Sequence, residues 1–548
     1  MSPGRLPAIR RRQWATLAAI FAAVFAFRFL SYTGFPNDHF VYLARAQQIL
    51  LGAWPARDFV DPGFLLMYVA SAAGLVLFGH NLLGEALIVF GGFAAAAALT
   101  YPLARTVAAS AAAAGCAVAL QALAYPRSYS YPKLFLHALA IMLCWNYLER
   151  PTTARRVGLA ALAAAAFLFR PDHGVVLGLV ALVAIVWADP GPLRSRATGG
   201  VRFVAMTAAF LLPWMAFVQS TAGLVSYLRS ALEFTATKAD VGRMGWPSLR
   251  LDDPAIGQNA EALLYYTFLL LPAAGALVLW RRRDASAPMP DAAGRLWIVV
   301  ILAACTNATL LRNPLQNRLA DVAVPQAILA AWLMPAAWRA VFGSTLAVRV
   351  GLRAAVAAAV GLVTWSVFQL GGTLERFDHI SPLRPLALVG RAATVTRALR
   401  DIDTSLGVPT AAPLAPVPLI AYVRSCTAPT DRLMYIGYAP QTYFFARRGF
   451  AAGQVVFEGT YYTSPEEQAL MVRRLQGEQV PVVAITDENV AAVREKLGAL
   501  SAYLDANYTR AGTIDLPGDQ RGDVLLHRTR SSTGVYAAFG WPCFAAGD

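Results

Sequence analysis

Apolar runs such as Thr16 to Tyr32, Phe203 to Val218 and Ala354 to Leu370 constrain this chain more than any other feature. Each is close to the ~20 residues an α-helix needs to cross the hydrocarbon of a bilayer. The runs are rich in Ala, Leu and Val and lack the alternation of barrel strands, so the expected spanning elements are helices. Composition agrees: 57% of the 548 residues are hydrophobic and only 14% are charged, a balance foreign to ordinary soluble domains. The first run follows Arg5, Arg10, Arg11 and Arg12 without a convincing small-residue cleavage site, and reads as a retained helix.

Eleven spans are expected: Gln13 to Tyr32, Leu83 to Leu103, Val107 to Leu123, Leu134 to Leu148, Val157 to Phe169, Gly174 to Trp187, Phe203 to Val218, Ala260 to Trp280, Leu296 to Leu310, Leu319 to Ala337 and Ala354 to Leu370. The net charge of +15 comes from short basic tracts between these runs, the pattern of cytoplasmic loops, and does not call for a nucleic-acid partner. Arg-rich tracts at 149–156, 189–202 and 281–295 are therefore assigned to the cytoplasmic side together with the N-terminus. Counting back makes Ala104 to Thr106 an inner connection and leaves the loop 33–82 outside. Gly63 to Phe78 is then a juxtamembrane or re-entrant helix, too short at 16 residues for a full crossing. The fold class expected is an α-helical polytopic membrane protein, with a transmembrane domain over 1–370 and a small extracytoplasmic α/β domain over 371–548. That domain has a Pro-rich lead-in from Gly407 to Pro418. Its strand-like patches are "RLMYIG" and "VPVVAI", and "SPEEQALMVRRLQGEQ" reads as a helix. Cys426 and Cys543 lie in this domain and are available to pair, whereas Cys116, Cys144 and Cys305 fall inside apolar runs.

The first outer loop, "GFPNDHFVYLARAQQILLGAWPARDFVDPG", holds three carboxylates, Asp38, Asp58 and Asp61. Asp38 sits where a helix N-cap is expected and Gly52 where that helix stops. Capping alone does not account for Asp58 and Asp61. Acids on a loop beside apolar helices suit a reaction that needs a base next to a lipid-borne substrate. Elsewhere, Arg127 and Lys133 in "YPRSYSYPK", Arg170 and Asp172 in "FRPDHG", and Arg312 and Arg318 in "LLRNPLQNRLAD" fall on the same predicted face. As a group they offer a cationic rim for a phosphate; singly, each is equally explained by a turn or by snorkelling to headgroups. His137 reads as a packed histidine. Arg447 and Arg448 read as solvated, with contact to lipid or glycan the alternative.

The stretch "NDHFVYLARAQQILLGAWPARDFVDPGFLLMYVASAAGLVLFG" resembles the first-loop signature of GT-C glycosyltransferases, the family of protein O-mannosyltransferases and the lipid A aminoarabinose transferase. The matching positions are Asp38, His39, Tyr42, Ala46, Gly52, Asp58, Pro62, Phe78 and Gly79. His39 stands where the family usually has glutamate, and the second outer loop lacks the acid often found there. The resemblance implies Asp38 as the catalytic base and a polyprenyl-phosphate-linked sugar as donor. It also implies a periplasmic acceptor and a multi-pass position in the bacterial inner membrane. His39, Tyr42, Asp58 and Asp61 count as substrate-binding positions, and no cofactor or divalent metal is expected. A transporter or flippase of lipid-linked sugars is the alternative; it predicts midplane charges and internal repeats, and the sequence shows no repeat.

Overall fold

The computed structural model describes the chain except for residues 1–10, 231, 233–244, 251–255, 282–291, 313, 341–345, 381–384, 402–416, 458–461, 518–519 and 546–548. Most of the Pro-rich lead-in and much of the stretch 221–259 fall outside the described residues. Two compact units emerge: one comprises Met1–Tyr32, Val89–Trp214 and Val241–Val395, the other Thr33–Ile88, Met215–Asp240 and Thr396–Asp548.

The first unit is helical. Among the described residues, eight helices of the chain are long and apolar enough to cross a membrane, including Leu83–Ala108, Leu193–Thr221 and Arg318–Trp338. Three further expected spans form helices, Ala111–Leu123, Tyr131–Glu149 and Thr153–Phe169, but are too short or too polar to join those eight. The expected connection at Ala104 to Thr106 is displaced: it lies inside Leu83–Ala108, and the chain turns at Ala109, whose φ is 51°. Ser110 then caps the next helix by accepting from the Ala113 amide at 3.2 Å, so the turn forms where a capping hydroxyl is available. Side-chain size explains much of the helix packing. Ala104, Ala108, Ala113, Ala114 and Ala117 close on Ala327 and Ala331, small residues that let backbones approach without a hydrophobic drive. Gly174, near the start of Pro171–Ala188, faces the Phe167 backbone, and a Cβ there would collide with it.

The second unit contains a mixed five-stranded sheet in the order β2-β1-β3-β5-β4, built from β1 (Arg432–Ile436), β2 (Gly449–Phe450), β3 (Val482–Thr486), β4 (Tyr508–Leu516) and β5 (Gln520–His527). β1 runs parallel to β2 and β3, while β5 is antiparallel to β3 and β4. Strands β1 and β3 are the expected apolar patches and are buried almost throughout, as central strands covered on both faces must be. β5 alternates buried and half-buried positions, the mark of a half-solvated strand. Helix Pro465–Gly477 starts at a capping box, Ser464 with Glu467, and packs Met471 and Leu475 into a core with Met434, Val483 and Ile485.

Residues of the first loop belong to this unit. Helix Asn37–Leu50 lays Phe40 against Phe444 and Phe445, with ring centroids 5.8 and 5.4 Å apart. Phe59 meets Phe450 edge-on at 5.5 Å. Such fully buried aromatics contribute about 1.5–3 kcal/mol each by area alone. Gln48 completes the join: its side-chain Nε2 donates to the Phe450 carbonyl at 3.4 Å, and its Oε1 accepts the Phe450 amide at 3.1 Å. One side chain thus pairs the open edge of β2 as a neighbouring strand would, which removes an edge prone to association. Gln47 donates to the carbonyls of Tyr443 and Arg448 at 3.2 and 2.9 Å. Helix Leu65–Phe78 has 14 residues, about 21 Å at the helical rise and short of a ~30 Å hydrocarbon core.

Cys426 and Cys543 form a disulfide, and Cys116, Cys144 and Cys305 are free. The bridge closes a separation of 117 residues. Thiol titration of the denatured, unreduced protein should find three free thiols of the five present, and reduction should cost this unit about 2–4 kcal/mol of stability, read as a lower melting temperature. Five titratable thiols without reductant would contradict the pairing.

Candidate functional site

Helix Asn37–Leu50 begins after Pro36, which lends no side-chain cap. Asp38 is therefore not the N-cap that its sequence position suggests. It lies in the first turn, where the helix dipole favours negative charge. Its carboxylate is exposed, and the Tyr438 hydroxyl donates to Oδ1.

His39, next in the chain, is fully buried. Its Nε2 lies 2.5 Å from Oε1 of Glu85, itself 1% exposed, and Ser71 donates to the same oxygen at 3.1 Å. Phe35 stacks on the imidazole at 4.6 Å and Tyr42 meets it edge-on at 5.9 Å. His39 Nδ1 and Glu85 Oε2 are buried without a hydrogen-bond partner among the described residues. The pair fixes the start of the helix against Glu85, and so fixes the backbone that carries Asp38.

The other two loop acids are bound into the fold. Asp61, 4% exposed, accepts at Oδ1 from the amides of Gly63 and Phe64 and from the Tyr68 hydroxyl, at 2.8, 3.0 and 3.0 Å. Its Oδ2 accepts from Tyr227 at 3.0 Å, and Arg45 donates to Tyr68 at 2.9 Å. A carboxylate so surrounded closes a turn. Asp58 likewise accepts from the Trp54 amide at 2.7 Å and from Arg57 at 2.8 Å. Burial works to raise its carboxyl, but the Arg57 and Trp54 hydrogen bonds and the charges of Arg57 and Arg474 outweigh it and hold the group below its ordinary range. Tyr42 packs against Phe64 and Tyr68 at 5.8 and 6.3 Å.

In the helical unit the expected cations come together. Lys133 lies 2.5 Å from Oδ2 of Asp321, and Arg127 pairs with Oδ1 of the same carboxylate. Arg127 also donates to the Asn317 carbonyl at 2.8 Å and lies over the Tyr129 ring at 4.7 Å. Its own loop is held by Arg28, which donates to the carbonyls of Arg127 and Ala122 at 2.9 Å each. Arg170 forks onto Asp172 at 3.1 and 3.0 Å, and His173 Nδ1 lies 2.9 Å from His137 Nε2. Lys133 is within electrostatic reach of Arg127, Arg170, Asp172 and Arg318, and Arg318 of Arg312 and Arg170. Arg318 donates to the Thr309 carbonyl at 3.1 Å, and Arg312 is exposed. Arg127 and Lys133 thus share Asp321, Arg170 takes Asp172, and with Arg318 and Arg312 nearby the surplus is positive.

Sequence reasoning missed Glu85, Tyr438, Gln47 and Gln48. Glu85 carried a usable signal, a lone acid in the first turn of a span, where an ionisable group needs a partner. Arg448, expected to be solvated, is 1% exposed and donates to Thr427 Oγ1 at 2.9 Å and to the Thr427 carbonyl at 2.7 Å. Among the described residues no three His, Cys, Asp or Glu side chains converge to hold a metal ion.

Thermal unfolding should separate these roles. Glu85→Ala leaves His39 buried without its acceptor and should cost about 1–3 kcal/mol, whereas exposed Asp38→Asn should stay within about 0.5 kcal/mol of the parent. Equal destabilisation by both would contradict the division. No protein-family model matches the chain, and no curated protein matches it.

Proposed function

We propose that the chain is a membrane glycosyltransferase that moves a sugar, with inversion, from a polyprenyl-phosphate carrier to a periplasmic acceptor. The observation that carries this reading is the contrast among the loop acids: Asp61, Asp58 and Glu85 are bound by the fold, while Asp38 presents an exposed carboxylate on a rigid helix start. In this reading the acceptor hydroxyl attacks the anomeric carbon from the side opposite the phosphate. Its proton passes to Asp38 as the new C–O bond forms. The bond from the anomeric carbon to the phosphate oxygen breaks with its electron pair leaving on the phosphate, which needs cationic stabilisation and no proton. Separately, the surplus positive charge of Arg127, Lys133, Arg170, Arg312 and Arg318 in the helical unit is read as a binding place for a lipid phosphate. The four arginines offer guanidinium forks for paired oxyanion contacts, and Lys133 a point charge.

The same reading takes the membrane to be the bacterial inner membrane, with a cytoplasmic N-terminus, eleven crossings and the sheet-bearing unit outside. The eight long apolar helices and the disulfide support it, since disulfides persist in oxidising compartments. No divalent metal enters the reaction so written.

Purified protein in detergent, assayed with a polyprenyl-phosphate sugar donor, should lose about 10²–10⁴ in kcat on Asp38→Asn. Asp321→Asn, which frees Arg127 and Lys133 from a shared partner, should alter KM for the lipid donor more than kcat. Near-normal transfer by Asp38→Asn would remove that residue from the role of base.

A further inference from the structure

Within the sheet-bearing unit, a cleft of about 480 Å³ is lined by the turn Leu51–Asp58, by Arg432 at the start of β1, and by residues 473–478 at the end of helix Pro465–Gly477. That volume falls in the ordinary range for small-ligand sites. Four arginines line it, Arg57, Arg432, Arg473 and Arg474, together with two acids, Asp58 and Glu478.

The carboxylates are already committed. Arg57 pairs with Asp58 at 2.7 Å. Arg432 lies 3.6 Å from Glu478, which also accepts the Ala452 amide at 2.7 Å. Arg473 is exposed and has no partner among the described residues. Arg474 donates a 3.4 Å hydrogen bond to the Arg57 carbonyl and lies within electrostatic reach of Glu478 and Asp58, and its Nη1 is buried without a hydrogen-bond partner among the described residues. A basic residue in the last turn of a helix is favoured by the dipole, which accounts for Arg474 but leaves its buried donor unanswered. A buried donor without an acceptor carries its full desolvation penalty. Gly453, at a φ of +70°, lies directly against this guanidinium, and any Cβ there would collide with it. The backbone is thus shaped to admit this guanidinium, whose charge is offset only by Asp58 and Glu478, carboxylates already paired with Arg57 and Arg432.

We propose that this cleft is a binding subsite for an oxyanion, carboxylate or phosphate, borne by the acceptor saccharide. The saccharide and its role as acceptor rest on the glycosyltransferase reading; the oxyanion site rests on the arginines. Arg473 and Arg474 would supply the forks, and the pairs Arg57–Asp58 and Arg432–Glu478 would border the sugar rings.

The test is direct binding by the full chain in neutral-lipid nanodiscs, with no donor present, measured by calorimetry. The probes are an oligogalacturonate and a neutral maltooligosaccharide of the same length. The acidic oligosaccharide should bind, and binding should weaken with added salt. Arg473→Gln and Arg474→Gln should each reduce its affinity about tenfold, or ~1.4 kcal/mol. Arg473 is exposed, so its variant keeps the test valid should Arg474→Gln fail to fold. Equal binding of the neutral oligosaccharide, or unchanged affinity in Arg473→Gln, would overturn the proposal. Loss of saccharide binding in nanodiscs of anionic lipid would also overturn it, by showing a lipid headgroup to be the ligand. Binding that behaves as predicted in a protein without transfer activity would uphold the subsite and sink the glycosyltransferase reading alone.

Discussion

The two amides of Gln47 and Gln48, buried at 5% and 1% exposure in the last turn of helix Asn37–Leu50, are the contacts on which the arrangement of the loop depends. Between them they satisfy carbonyls of Tyr443, Arg448 and Phe450 and the amide of Phe450. Buried backbone groups at a sheet edge must find partners or cost about 1–3 kcal/mol each. Here an amphipathic helix supplies them from its side chains, so the loop helix and the sheet form one cooperative body. The aromatic contacts of Phe40 and Phe59 add burial to this polar lock. Deleting either amide strands backbone groups on the facing segment as well as losing a side-chain contact.

Rigidity at one end of that helix decides what the other end can do. With Gln47 and Gln48 locked and His39 held to Glu85, the first turn has little freedom, and Asp38 is presented from a fixed backbone with Tyr438 as its neighbour. The loop's three aspartates therefore divide by environment. Asp61 collects two amides and two tyrosine hydroxyls, and Asp58 collects an amide and a guanidinium. Acids that accept this many hydrogen bonds hold turns in shape. An acid that accepts one, in the open, retains oxygens for chemistry, and preorganised placement is what makes such a group effective.

The long apolar runs and the two buried strands were legible in the sequence because each is a continuous pattern with a strong physical cause, membrane crossing or burial on both faces. The helix with its stop at Gly52, the break before Pro171 and the helix within "SPEEQALMVRRLQGEQ" were legible through local pattern and turn chemistry. Helix ends inside the Ala-rich stretch were not: Leu83–Ala108 and Ala111–Leu123 meet at Ala109 and Ser110, and little in a run of alanines marks where the chain bends. The partners of the site were least legible. His39 and Glu85 are 46 positions apart, and Asp38 and Tyr438 are 400 apart. Only the fold brings such residues together, and no local pattern announces it. The cationic cluster was foreseen as a set, yet the shared carboxylate Asp321, which binds Arg127 and Lys133 at once, became visible only in three dimensions.

The central claim is that Asp38 is the open acid of this loop while Asp61 and Glu85 are sealed within it. Carbodiimide-amine labelling of the folded chain, followed by mass spectrometry of the loop peptides, reads this directly. The account predicts rapid modification of Asp38, with Asp61 and Glu85 protected until the protein is unfolded. Modification of all three at similar rates in the folded protein would contradict it.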